Sequence, residues 1–214
     1  MREKETSRVE AFSDGVFAIA ITLLVFNIKV PYLPPGASNH ALLEALLAAW
    51  PSLLAFVISF ATLLILWVNH HELFTLIQGV DARLLFANGF LLFLITFVPF
   101  PTAVLAEYLN REAANTAAAL YCGTYVVLSV AYNLLERTAA HQRLVKAQAS
   151  EAQLHTIRTA YRVGLLVYLV ATALAFVNAF VGLAVCVSLW GVWACLHYRP
   201  ADKPTGASRR TGEG

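Results

Sequence analysis

Hydrophobic positions along this chain come in long unbroken runs, and the polar residues gather between them. Six runs stand out, at about residues 12–30, 46–68, 84–105, 117–135, 163–180 and 181–198. Each is close to the roughly 20 apolar residues that a helix needs to cross the hydrocarbon core of a bilayer. A membrane barrel would show segments of about ten residues with alternating polarity instead. The pattern therefore predicts an all-α integral membrane protein with six transmembrane helices within residues 1–198. The first run stops at Lys29-Val30-Pro31, and the second is entered through Trp50-Pro51 and closed by Asn69-His70-His71. Pro99 and Pro101 predict a kinked or unwound end to the third. The fifth and sixth share a very short turn near Asn178. The polar link at 136–162 is rich in good helix formers and is expected to extend the fourth and fifth helices beyond the membrane. Residues 199–214 are dominated by small, turn-forming and charged side chains and read as a disordered cytoplasmic tail.

Composition agrees with a lipid environment. The 214 residues are 59% hydrophobic and 13% charged, against roughly 25% charged in an ordinary soluble domain, too few to cover a surface in water. Charge then supplies orientation. With the N-terminus inside, 13 of the 15 Lys and Arg residues fall on the cytoplasmic side, and Lys29 and Arg111 remain outside. That bias is what the positive-inside rule expects, so both termini are read as cytoplasmic. The opening MREKETSRVEAFSD mixes acids with bases and carries no cleavage signal, so the first run reads as a span. A net charge of +2 gives no reason to expect nucleic-acid binding. Cys122, Cys186 and Cys195 all lie in apolar stretches and read as small buried hydrophobes.

The chemistry is concentrated in the first run. It opens Arg8-x-x-x-Phe12-Ser13-Asp14 and continues Gly-Val-Phe-Ala-Ile-Ala-Ile-Thr-Leu-Leu-Val. This closely resembles the prokaryotic members of the transmembrane-protein-175 family of potassium channels. The end of the second run, Leu66-Trp67-Val68-Asn69-His70-His71-Glu72-Leu73-Phe74, is similar to that family's second signature. The resemblance covers nearly the whole chain. It implies a homotetramer in the bacterial plasma membrane, with permeating potassium ions and no cofactor. It also implies that the first helix lines a central pore, without a re-entrant loop, narrowed by bulky aliphatic side chains. One departure is Asn27, where relatives carry an acidic residue near the outer end of this helix; the resemblance then implies a less cation-attracting outer mouth.

Helical geometry gives this reading a face. At about 100° per residue, Thr22, Leu23 and Phe26 lie within roughly 60° of Ile19, and Phe12 and Gly15 fall on the same side. The stripe carries one hydroxyl among large apolar groups. If it faces a pore, Ile19 and Leu23 form the narrow rings, Thr22 offers the side-chain oxygen and Phe26 lines the outer part. Asp14 points about 140° away from Ile19, toward the protein behind. A carboxyl group at membrane depth requires partners, and Trp67, Asn69, His70 and His71 sit at the same level. Ser13 and Asp14 therefore read as anchors holding the first helix to the second, and the resemblance gives the whole Arg8–Asp14 motif that role.

Other readings compete with these. An aliphatic stripe on a membrane helix is ordinarily a lipid-facing or packing surface. Asp14 and His70 can alternatively be read as the proton relay of a secondary transporter, although no internal repeat or broken mid-membrane helix pair supports it. A non-conducting scaffold is a third reading. Adjacent His70 and His71 diverge by about 100° and do not readily share a metal ion. His40, His141, His155 and His197 lie in loops or at helix ends. Arg137, Arg143 and Lys146 read as a solvated cytoplasmic face, with lipid headgroup contact as a lesser alternative. Gly123-Thr124 reads as helix packing. No nucleophile–base pair, nucleotide loop or paired carboxylate points to an enzyme.

Overall fold

A computed structural model describes residues 2–147 and 151–197. Among them there is no β-strand, and eight α-helices account for most of the chain. They are α1 (Arg2–Leu23, prolonged by a 3₁₀ turn over Leu24–Asn27), α2 (Asn39–Ala48), α3 (Trp50–Thr75), α4 (Ala82–Phe97), α5 (Pro99–Tyr108), α6 (Ala114–His141), α7 (Glu151–Val177) and α8 (Ala179–His197). Five segments are long and apolar enough to cross a membrane: Glu5–Asn27, Trp50–Thr75, Ala82–Tyr108, Ala114–His141 and Glu151–Val177. A shorter apolar stretch, Ala179–Gly191, lies within α8. The all-α membrane class thus rests on five full-length segments and a shorter sixth. The expected tail, 199–214, lies outside the described residues.

Two boundaries differ from the sequence reading for identifiable reasons. The second run is preceded by a separate helix, α2, whose start is capped by the Ser38 hydroxyl accepting from Ala41 N at 3.2 Å. The chain breaks at Ala49 and restarts with Pro51 in the first turn of α3, where a missing N–H costs little. α3 then runs to Thr75, so Asn69, His70 and His71 lie inside a helix rather than closing it. In the third run, Pro99 and Pro101 interrupt the helix without unwinding the chain. Val98 keeps helical dihedrals, φ −53° and ψ −38°, and helix resumes at once as α5. The Val98 carbonyl takes both the backbone N–H and the hydroxyl of Thr102, at 3.2 and 2.9 Å.

α6 is the centre of the bundle and packs against α4, α5, α7 and α8. Its buried side includes Tyr121, Tyr125, Leu128, Tyr132 and Leu135. The phenols are buried with partners, as an apolar interior requires. Tyr125 Oη donates to Tyr121 Oη, which also accepts from Ser59 Oγ, each at 3.1 Å. Ser59 Oγ meets Thr102 Oγ1 at 2.8 Å, and Tyr132 Oη donates to the Leu66 carbonyl at 2.6 Å. These bonds tie α6 to α3 and α5 within the bundle.

The tight turn near Asn178 is built by two asparagines. Asn115 Nδ2 donates to the carbonyls of Phe176 and Val177, and its Oδ1 accepts from Ala179 N. Asn178 Oδ1 caps α8 by accepting from Phe180 N and Val181 N. Just beyond, α7 and α8 approach so closely that a β-carbon on Gly182 would lie 2.5 Å from Ala175 Cβ and 2.8 Å from the Ala171 carbonyl oxygen. Small residues allow such approach between membrane helices. Gly182→Ala is therefore expected to destabilise the protein by about 1–3 kcal/mol, the usual cost of overpacking. Gly191→Ala, also on α8 but with no atom within 4 Å of the added carbon, should be nearly neutral. Thermal stability in detergent, followed by size-exclusion chromatography, measures both. Gly123 has a milder contact, since an added carbon would meet Thr172 Cγ2 at 3.8 Å.

One long-range backbone feature lies beyond any periodicity. α6 ends with Arg143 in the left-handed region, φ 53°. Arg143 N bonds Ala140 O and Leu144 N bonds Ala139 O, the paired pattern of a Schellman ending. This reverses the chain so that Leu144 O accepts from Gln78 N and Lys146 N donates to Leu76 O, both at 2.8 Å. The segments following α3 and α6 are thereby joined through the antiparallel Ile77–Val145 bridge.

Candidate functional site

α1 packs on α3 and α4 with one side only. Ser13, Phe17, Ala20 and Leu24 are buried, at 0–1% exposure, whereas Phe12, Ile19 and Phe26 are 67%, 59% and 78% exposed. Gly15, Thr22 and Leu23 are exposed on the same side as Ile19. The stripe marked by helical geometry is thus the face that a single chain leaves uncovered. Thr22 Oγ1 donates to the Ile19 carbonyl at 2.9 Å. Its proton is used within the helix, and the oxygen's lone pairs remain for whatever faces the stripe.

The opposite face carries the polar anchors. Trp67 Nε1 donates to Asp14 Oδ1 at 2.9 Å, joining α1 to α3. Ser13 Oγ donates to Val9 O at 2.8 Å and accepts from Asn88 Nδ2 at 3.0 Å. Asn88 Oδ1 is then left to accept, so His70 Nε2, 2.9 Å away, is the donor. The chain of bonds runs from α3 through α4 to α1 and fixes the proton of His70 on Nε2. His70 Nδ1 is buried without a hydrogen-bond partner. The ring lies between Phe17 and Phe74, at centroid distances of 5.5 and 4.4 Å. His71 turns the other way and pairs with Glu10, Nδ1 to Oε1 at 2.8 Å. No hydrogen bond joins Asp14 to His70, so the relay considered from sequence has no direct link between these two groups.

At the far end, the 3₁₀ turn packs on α3 and α5. Asn27 Nδ2 donates to the Pro99 carbonyl at 3.1 Å, so its side chain faces α5. Lys29 Nζ pairs with Glu107 at 2.6 Å, and Arg111 also reaches the Glu107 carboxylate.

Comparison with known proteins places this arrangement. The family model described as endosomal/lysosomal potassium channel TMEM175 matches residues 8–99, the part that holds α1, α3, α4 and the hydrogen-bonded junction between them. A potassium channel of Chamaesiphon minutus is 47% identical over 188 residues, covering 87% of this chain and 92% of the relative. The chain belongs to the TMEM175 family. A potassium channel of Streptomyces collinus is 45% identical over 186 residues, covering 84% and 87% of the two chains. The crystal structure of a lysosomal potassium-selective channel TMEM175 homolog from Chamaesiphon minutus superposes with a TM-score of 0.80 at 45% identity, covering 90% of this chain and 97% of that one. The matched TMEM175 members are ion channels and not enzymes.

Within this TMEM175 chain the sequence-selected residues separate into groups. Ser13, Asp14, Trp67 and His70 meet in the junction, and His71 joins the same helices through Glu10. Asn69 is buried too, but the contact it makes is toward α7, where its backbone carbonyl accepts from Tyr161 Oη at 3.5 Å. Arg8 and Phe12 are not part of the hydrogen-bonded network expected to include them. Both are exposed and line a groove of about 610 Å³ between the starts of α1 and α4. The reason is angular, because both project from the same side of α1 as Ile19, away from Ser13. Sequence reasoning missed Asn88, the residue that connects His70 to Ser13. A lone carboxamide in an apolar run was the available signal, since such a group must find partners in lipid.

Proposed function

We propose that this protein is a potassium-permeable cation channel of modest selectivity, whose pore is lined by α1 from four identical subunits. In this reading six helices cross the bacterial plasma membrane, both termini are cytoplasmic, and no re-entrant loop enters the pore. The observation that carries it is the two-sidedness of α1: a polar-anchored face held by α3 and α4, and an uncovered stripe of large apolar groups with one hydroxyl. Ile19 and Leu23 form a hydrophobic constriction that controls hydration of the path, and Phe26 lines its outer part. Thr22 presents an oxygen whose proton is already donated to Ile19 O. A ring of four such acceptors suits a cation and not an anion. Ser13, Asp14, Trp67, Asn88 and His70 hold α1 at its angle to the axis and do not touch the ion. Asn27 faces α5 and leaves the outer entrance without a charge from this position. The similarity to potassium channels over most of the chain supports the choice of ion.

The experiment is recording from purified protein in a bilayer with unequal potassium and sodium. Current driven by voltage alone, reversing on the potassium side of zero, is the expected result. Flux that appears only with an imposed proton gradient would mean a coupled transporter.

A further inference from the structure

A second charged feature lies apart from α1. Glu136, Arg137, Ala140, His141, Arg158 and Arg162 line an open cavity of about 450 Å³ between the last turns of α6 and the first half of α7. Glu136 is buried, at 6% side-chain exposure, and accepts from Arg158 Nε at 2.7 Å. Among the lining residues one carboxylate faces three guanidiniums, and with Glu151 acting on Arg158 from outside the lining the neighbourhood still keeps an excess of positive charge. Arg137 and Arg162 are exposed and make no ion pair among the described residues. The walls are fixed by cross-links, because Asn133 Nδ2 donates to the Tyr161 carbonyl at 3.2 Å one turn from the Glu136–Arg158 pair.

Excess positive charge at this end also serves topology, so charge alone does not make a site. The apolar surface leading away from the cavity adds a second requirement. On α6, Val127, Val130 and Leu134 are exposed at spacings of three and four residues, and the same stripe ends in Arg137 and His141. On α7, Arg158 and Arg162 give way to the exposed Leu166, Leu169 and Val170. From Arg137 to Val127 is about 15 Å at 1.5 Å per residue, which is one leaflet of a ~30 Å core. Two aliphatic rails one leaflet long, leading into a basic cavity, match a molecule with an anionic head and acyl chains. Soluble phosphate would leave the rails unused, and a zwitterionic head would not balance the charge.

We propose that the α6–α7 cavity binds the phosphate of an anionic phospholipid of the cytoplasmic leaflet, with Arg137 and Arg162 as its ligands and the Val127–Leu134 and Leu166–Val170 rails along its chains. This rests on the membrane orientation proposed above and not on ion conduction. The side chains of Arg137 and Arg162 are free to rearrange toward the head, while Arg158 stays with Glu136.

Native mass spectrometry of the purified full chain, equilibrated with phosphatidylglycerol or with phosphatidylcholine of the same acyl chains, tests it. Wild-type protein should retain phosphatidylglycerol preferentially. Arg137→Gln/Arg162→Gln should lower that retention about thirtyfold, from roughly fivefold per basic residue near an anionic headgroup. Arg83→Gln, which removes a base at the same end but outside the cavity, should retain it fully. Both substituted sites are exposed, and an unchanged size-exclusion profile confirms the fold. Equal retention of the two lipids, or undiminished phosphatidylglycerol on the double variant, overturns the proposal. Displacement of the lipid by millimolar inorganic phosphate overturns the lipid assignment in favour of a free anion. Potassium flux on the same preparations keeps the readings apart: a wild type that retains the lipid without conducting counts against the channel, and one that conducts without retaining it counts against this site.

Discussion

Replacing Ile19 with asparagine is expected to raise potassium current about tenfold and to bring the potassium-to-sodium permeability ratio toward one. The side chain is 59% exposed in the single chain and lies in the middle of the uncovered stripe of α1. In the proposed tetramer, four such groups around the axis would present hydrocarbon with no atom able to replace an ion's water. Four carboxamides of similar size would keep the path wet. Lowering the barrier by about 1.4 kcal/mol gives the tenfold increase, and an ion that keeps its hydration shell is poorly discriminated by size. The fold should be unaffected, because Ile19 is not among the residues packed on α3 or α4. Single-channel recording in unequal potassium and sodium reads both quantities. Unchanged conductance and reversal potential would place this face of α1 away from the ion path, against lipid or a packing partner.

The second large effect is expected at Asn88. Its side chain bonds both His70 Nε2 and Ser13 Oγ and is 3% exposed. Asn88→Ala removes two hydrogen bonds and leaves the buried His70 N–H with no acceptor. At about 1 kcal/mol per bond and 1–3 kcal/mol for the stranded donor, the cost is about 3–5 kcal/mol. Asp14→Ala, which frees only Trp67 Nε1 at a partly buried position, should act in the same direction and more weakly. The readout is the fraction of protein that elutes as folded oligomer in detergent and its melting temperature. Asn88→Ala protein as stable as wild type would show that the junction does not hold α1 in place.

The legible and illegible parts of this molecule divide by range. Long apolar runs announce membrane helices because lipid leaves the backbone no other way to pair its polar groups. The angle between Ile19 and Asp14 follows from helix geometry alone, and the Trp67–Asp14 bond joins that carboxylate to a residue selected for lying at the same membrane level. Asn88 was passed over because an apolar run was read by its average and not by its exceptions. The partner of His71 was missed for a related reason: Glu10 lies ahead of the apolar run and was given no role, yet α1 begins before that run does. Arg8 was drawn into the network by belonging to the motif, although its direction along α1 sets it apart. The pairing of Gln78 and Lys146 with Leu144 and Leu76 was out of reach. It depends on a left-handed arginine and on two chain segments far apart in sequence.

The stripe on α1 has a mechanical consequence. Phe12, Gly15, Ile19, Thr22 and Phe26 succeed one another at steps of three and four, a mean of 3.5 residues against the 3.6 of an α-helix, with the last step falling in the tighter 3₁₀ turn. A straight rod would carry the seam about 20° off course in each heptad. Under the proposed fourfold assembly, four such helices that keep it turned inward would coil about one another in a left-handed sense. In the proposed tetramer, straightening these helices would swing Phe26 and Phe12 aside in opposite directions, which would tie the width of the path at Ile19 to how tightly they are wound.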